Sequence, residues 1–180
     1  MVLYFRFYWL IIKSYFIHKD HDPHKPISYV FHVLPTDLDP NFHMTNSRYP
    51  AFNDLARLRF FLDTGLWSKI RSNGFMPVMG ASYTRFRRDL GPFQKFDIRI
   101  EIAYISPRWI YFDYKFIRNG FVHCHVLEKW GAAEKGVGMV APHLYLPPVP
   151  GQENYGKPPT HIAKLMDAED EFRIVVRKQP

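Results

Sequence analysis

The sequence predicts an α+β domain in which an antiparallel sheet wraps one long apolar helix. Three observations carry this. From Tyr49 to Leu62 the apolar residues fall on adjoining helical stripes, Phe52, Ala56 and Phe60 beside Ala51, Leu55, Leu58 and Leu62. From about Gly80 the apolar period switches to two, as strands require. Asn119-Gly120 sits between two such runs and is a two-residue hairpin turn of the kind that favours type I′. With 180 residues, 47% hydrophobic and 17% aromatic, the chain can bury such a core, which excludes global disorder.

The elements follow in order. Residues 1–17, MVLYFRFYWLIIKSYFI, are apolar at fourteen of seventeen positions, broken by Arg6, Lys13 and Ser14. As a helix this segment reaches about 25 Å, short of a typical span, and its aromatics suit an interface. It is read as a membrane anchor, short-spanning or lying in the interface, or as a helix packed on the protein's own surface. Residues 18–26 are a polar, proline-punctuated linker. Residues 27–146 form the domain. ISYVFHVLP, from Ile27, alternates and is rich in β-formers, so it is a strand closed by Pro35. Asn46 or Ser47 can cap the helix, Pro50 is tolerated in its first turn, Asn53 and Arg57 fall on its polar side, and Gly65 stops it. GASYTRFRRDL, QKFDIRIEIAYIS, Trp109 to Ile117 and Phe121 to Trp130 are strands, and Met139 to Leu146 adds a last short one. Residues 147–180 are a tail; its first part holds five prolines and two glycines, and 161–173 can form a short polar helix. One helix leaves part of such a sheet, or its edge, uncovered, which points to a dimer whose sheets join.

The formal net charge is +7, which fits an anionic partner without choosing among phosphate ligand, membrane surface and nucleic acid. The aromatics follow core periodicity, so nucleic acid is not expected. The one cysteine, Cys124, excludes an intrachain disulfide framework and a paired-cysteine zinc site, and its place mid-strand reads as a buried thiol. His123 and His125 share a strand face, but no third ligand is evident, so no metal is expected.

The stretch that carries chemistry is DLDPNFHMTNSRY, Asp37 to Tyr49, directly before the long helix. Two carboxylates, an imidazole and two amides lie where a strand hands over to a helix, whose first turn offers unpaired N–H groups and partial positive charge. Together with the element order, this run resembles the motif Asp-x-Asp-x-x-Gly-His-x-x-Asn-x-x-Tyr of the hotdog-fold acyl-CoA thioesterases related to 4-hydroxybenzoyl-CoA thioesterase. It matches at Asp37, Asp39, His43, Asn46 and Tyr49 and departs at the glycine position, occupied by Phe42. His-Met-Thr-Asn followed by Ser-Arg-Tyr is most similar to the thioesterase superfamily member 6 branch, which also carries an N-terminal hydrophobic segment.

The resemblance implies a hotdog fold over residues 27–146, a homodimer or dimer of dimers, and hydrolysis of an acyl-CoA. It implies Asp39 as nucleophile or general base, and a backbone N–H at about Asn46 polarising the thioester carbonyl. His43 positions water or the thioester, or locks the loop by hydrogen bonds. Asp37 bonds loop N–H groups, and Tyr49 lines the substrate chiefly as a packing residue. Thioester hydrolysis needs such a set: a carboxylate at the carbonyl carbon and a donor for the developing oxyanion. No cofactor is expected beyond the coenzyme A of the substrate. Its phosphates call for cations, and residues 57–95 hold eight Lys/Arg against two acids. Arg87, Arg88 and Lys95, near the Gly91-Pro92 turn, are the candidates. The expected location is cytoplasmic or membrane-associated through the N-terminal segment. A non-catalytic hotdog protein that binds acyl chains or a protein partner is the alternative, favoured if Phe42 fills the thioester's path.

Overall fold

The computed structural model describes residues 7–9, 12, 21–148 and 156–177, with side chains described to 172. The chain divides into two units, 1–148 and 149–180. The anchor expected at 1–17 lies almost wholly outside the described residues, as does most of the linker. Among the described residues no helix is long and apolar enough to cross a membrane.

In the first unit, β1 (Ile27–His32) leads into α1 (Arg48–Asp63), then α2 (Leu66–Ser72), and then β2 (Met76–Phe86), β3 (Lys95–Ile105), β4 (Ile110–Arg118), β5 (Phe121–Glu134) and β6 (Gly138–Val140). The sheet is antiparallel in the order β1-β3-β4-β5-β2. β6 pairs with Ala132–Glu134 of β5, beyond the point where β4 ends. The second unit holds α3 (Thr160–Arg177), longer than the helix expected there.

Helix α1 forms where its sequence predicts. RYPAFNDLARLRFFLD has no β-branched residue to lose side-chain freedom, and its proline sits in the first turn, where the missing N–H has no intrahelical role. Its Tyr49, Phe52, Leu55, Ala56 and Phe60 are buried against Phe96, Ile98, Ile100, Phe112, Tyr114 and Phe116 of the sheet. The rings meet edge-on or stacked, as in Phe60 with Phe112 and Phe52 with Phe96. Burying a side chain of this size is worth about 1.5–3 kcal/mol, so this layer dominates the stability of the unit. The hairpin at Asn119-Gly120 has φ of 50° and 76°, the left-handed pair that a type I′ turn demands.

Three expectations are corrected. α2 has no counterpart in the sequence reading; Gly65, expected only as a stop, takes φ 71° and starts a second short helix whose Leu66 and Ile70 join the core. The strand expected at Met139 to Leu146 ends at Val140, because Pro142 lacks an N–H and opens a 3₁₀ turn, Pro142–Leu144. Asn53 and Arg57 are buried rather than solvated, because the sheet curls over that face of the helix.

The curl has a visible cause. Register shifts between Met79 and Ala81 and between Ile102 and Tyr104 bend the sheet. At the first, the Trp109 ring lies over Gly80 and Gly131. A Cβ on Gly131 would stand 3.0 Å from the Arg108 carbonyl and 3.2 Å from the Trp109 ring, and one on Gly80 would stand 2.8 Å from that ring. Gly131→Ala is therefore expected to lower unfolding stability by about 1–3 kcal/mol, the usual cost of overpacking. Urea denaturation checks it, and an unchanged midpoint refutes the tight approach.

Candidate functional site

The loop between β1 and α1 is a nest of short-range bonds. Asp39 and His43 clasp each other through Asp39 N–H to His43 O at 2.9 Å, and Phe42 N–H bonds Asp39 O at 3.0 Å. The carboxylate of Asp39 adds to the clasp. Its Oδ1 accepts the N–H of Asn41 at 2.9 Å and of His43 at 3.2 Å. Aspartate does this because its short side chain reaches the backbone two residues on. Oδ2 has no partner among the described residues, and the residue is half-buried. Asp37 is different. It is buried, its Oδ2 accepts the Leu34 N–H at 2.9 Å, its Oδ1 lies 3.6 Å from Arg48 Nε, and its carbonyl accepts the Thr45 N–H at 2.9 Å. One carboxylate is committed to holding the loop, and the other keeps an oxygen free.

Tight closure of this loop needs a left-handed residue. Phe42 supplies it at φ 59°, where glycine would sit without strain. The ring pays no packing dividend, because it is 69% exposed. Phe42 thus stands largely in solvent, and Asp39 beside it in the loop is half-buried.

Asn46 is exposed and lies one residue before Ser47, the N-cap of α1. Ser47 makes no capping bond through its side chain, so the cap expected from either residue is not formed. The Asn46 N–H has no acceptor among the described residues and lies two residues before the sixteen-residue helix begins.

A second segment, Arg87 to Gln94, docks on this loop. Met44 N–H bonds Leu90 O at 2.7 Å, Phe93 N–H bonds Val33 O at 3.0 Å, and His43 Nδ1 lies 3.8 Å from Asp89 Oδ2. The segment is held from β5: His123 Nδ1 bonds Asp89 O at 2.9 Å, and the N–H groups of Arg87 and Arg88 bond His123 O. Asp89 and His123 are thus structural members of the site that the motif does not contain. Tyr49 is buried with its ring against Phe86 and Phe116, and burial pushes its phenol well above the ordinary range, with Cys124 and Asp89 adding to the rise. Cys124 is also buried, which pushes its thiol up to about 12 and makes it inert as a nucleophile. Arg87, Arg88 and Lys95 are exposed on the same rim, with Lys95 paired across to His32 of β1 and Arg88 stacked on the Phe121 ring at 4.2 Å. Among the described residues no cluster of His, Cys, Asp or Glu could hold a metal ion. His125 instead bonds Asp113 at 2.8 Å on the sheet face away from α1.

Burial alone would raise the Asp113 carboxyl, but His125 and Lys115 hold it below its ordinary value of 3.8. A depressed folded pKa contributes stability above the unfolded value and loses it as pH falls through the folded one. Asp113→Asn is therefore expected to melt lower than the parent at pH 7, with the gap closing below about pH 3.8. Thermal scans at both ends of that window check it, and a gap independent of pH rules the ion pair out.

The family model described as the thioesterase-like superfamily matches residues 33–133. Among curated proteins, Protein THEM6 of Xenopus laevis is 38% identical over 107 residues, 58% of this chain and 52% of that protein. A probable thioesterase of Saccharomyces cerevisiae is 30% identical over 98 residues, 52% of this chain and 41% of that protein. The chain thus spans about half the length of the curated relatives it matches. Among solved structures, the YbaW probable thioesterase of Escherichia coli aligns with a TM-score of 0.62 at 16% identity, covering 65% of this chain and 90% of that one. BH1999 gentisyl-coenzyme A thioesterase aligns at 0.58 and 20% identity, covering 64% and 94%. At these identities the likeness shows the fold, and the fold is the hotdog.

Proposed function

The chain belongs to the thioesterase-like superfamily, and from that premise we propose that it hydrolyses an acyl-CoA to a free acid and coenzyme A. The observation that carries the reading is Asp39, one carboxylate oxygen pinned by two backbone amides and the other without a partner among the described residues, in the same loop ahead of α1 as the unpartnered Asn46 N–H. That pairing is what the reaction needs. Asp39 removes a proton from water, or attacks the carbonyl carbon itself to give an anhydride that water then opens. In either case the C–S bond breaks, the thiolate of coenzyme A leaves and takes up a proton, and the Asn46 N–H takes the charge developing on the carbonyl oxygen. His43, beside Asp89, positions water or the thioester. Tyr49, packed between Phe86 and Phe116, supports the substrate site from beneath. Arg87, Arg88 and Lys95 receive the phosphates of coenzyme A, as charge-assisted donors.

A homodimer, or a dimer of dimers, completes the site in this reading. β2 is a sheet edge of eleven residues with Met76, Met79, Tyr83 and Phe86 exposed. Such an edge is a template for a second copy. The N-terminal segment would hold the enzyme at a membrane.

The test is a panel of short, long and aromatic acyl-CoAs with released thiol as the readout. Turnover on any of them is the expected result. No thiol from any, with the protein folded, makes binding of acyl chains or of a protein partner the better reading.

A further inference from the structure

We propose that the rim of the sheet bearing Phe42, Phe93 and Phe121 docks on an anionic lipid bilayer. The proposal stands apart from the anchor at residues 1–17, and it does not depend on catalysis.

The rim is one continuous surface. The register puts His32 beside Lys95, Arg118 beside Phe121 and Phe86 beside Cys124, so the 33–47 loop, the 87–94 segment and the 119–120 hairpin turn all leave the same end of the sheet. Bonds from Val33 to Gln94, Phe93 to Val33, Met44 to Leu90 and Arg87 to His123 join them. Five strands at roughly 4.8 Å make this end about 20 Å wide.

Phe42 and Phe93 in the first two loops, and Phe121 at the start of β5, each stand in solvent. Phe42 is 69% exposed, Phe93 71% and Phe121 54%. Single exposed apolar residues are ordinary, but three aromatic tips on one rim are not. Two of them are also held in a strained backbone, Phe42 at φ 59° and Phe93 at φ 58°. A bulky residue there costs on the order of 1–3 kcal/mol where glycine would cost little, and such strain marks functional surfaces. Neither ring recovers that cost by packing in this chain.

Charge selects the occupant. Arg87, Arg88, Lys95 and Arg118 surround the aromatics, and no described acid forms an ion pair with any of them. The facing acids are Asp89, beside His43, Asp97, half-buried on β3, and Asp39, whose Oδ1 is bonded within its loop. A second copy would bring the same cations to the contact and be repelled. An anionic bilayer offers apolar depth for the rings and headgroups for the cations, each cation near the surface adding about 1 kcal/mol. Docked this way, the loop carrying Asp39 opens at the lipid surface.

The experiment uses the full chain with Phe93→Cys labelled by an environment-sensitive dye; Cys124 is buried, so the label goes to position 93. Vesicles are phosphatidylcholine with or without phosphatidylserine. The expected result is a blue-shifted, brighter dye on phosphatidylserine vesicles, with binding weakened by at least about 30-fold, the worth of the two lost cations alone, by Lys95→Glu with Arg118→Glu. A dye that stays unshifted while the chain is on the vesicles overturns the proposal, since the tether then lies elsewhere. An equal response to phosphatidylcholine alone, unaffected by charge reversal, overturns the charge argument. A shift produced by raising protein concentration without lipid marks a second copy and rejects the bilayer.

Discussion

Asp39→Asn is expected to lower acyl-CoA turnover by about 10²–10⁴-fold, the usual worth of a positioned acid or base, with little change in melting temperature. The two effects separate because the two oxygens have separate tasks. The asparagine carbonyl still accepts the Asn41 and His43 amides, so the loop keeps its shape. What is lost is the charge on the free oxygen. Asp37→Asn is the counter-experiment. That carboxylate is buried with the Leu34 N–H and Arg48, so its loss falls on stability first. Initial rates of thiol release, read beside thermal melts of both variants, check the assignment. Turnover that survives Asp39→Asn moves the chemistry away from this loop, and a collapse of folding in that variant makes Asp39 a structural residue like its neighbour.

What the sequence disclosed divides along a physical line. The long helix, the strands β1, β3, β4 and β5 and the Asn119-Gly120 turn were legible because each is written in local periodicity or in the backbone freedom of one residue pair. The seven residues of α2 were not, since a helix that short owes its stability to packing rather than propensity. The same division runs through the candidate site. The clasp of Asp39 on Asn41 and His43 lies within five consecutive residues and could be read as a motif. Asp89 and His123 reach the loop only through tertiary pairing, and no spacing in the chain announces them. Phe42 is the instructive residue. Its bulk at the usual glycine position pointed to a blocked site, whereas in the structure the residue takes a left-handed φ and is 69% exposed.

Glu128→Ala is expected to lower the melting temperature by about 6–20 °C, which follows from roughly 3–5 kcal/mol for breaking a buried ion pair and a few degrees per kcal/mol in a chain of this size. Arg57 falls on the polar side of the helix by sequence, yet it lies buried under the Trp130 ring, 3.9 Å from its centre, and bonds Glu128, 71 residues away in the chain. Burial alone would weaken its charge, but Tyr114, Glu128 and the half-open Asp54 hold it above its ordinary value. Glu128 is the hub. It also accepts Asn53 Nδ2 at 3.3 Å and Trp130 Nε1 at 3.2 Å, so its removal leaves the guanidinium with Asp54 as its remaining carboxylate and takes the acceptor from an amide and an indole N–H. Glu128→Gln keeps an acceptor for the two neutral donors and loses only the charge, so it should fall between wild type and the alanine variant. Calorimetry on the three proteins orders them. If the alanine variant melts with the wild type, the cluster contributes nothing to stability, and the tight bond between α1 and β5 serves another purpose.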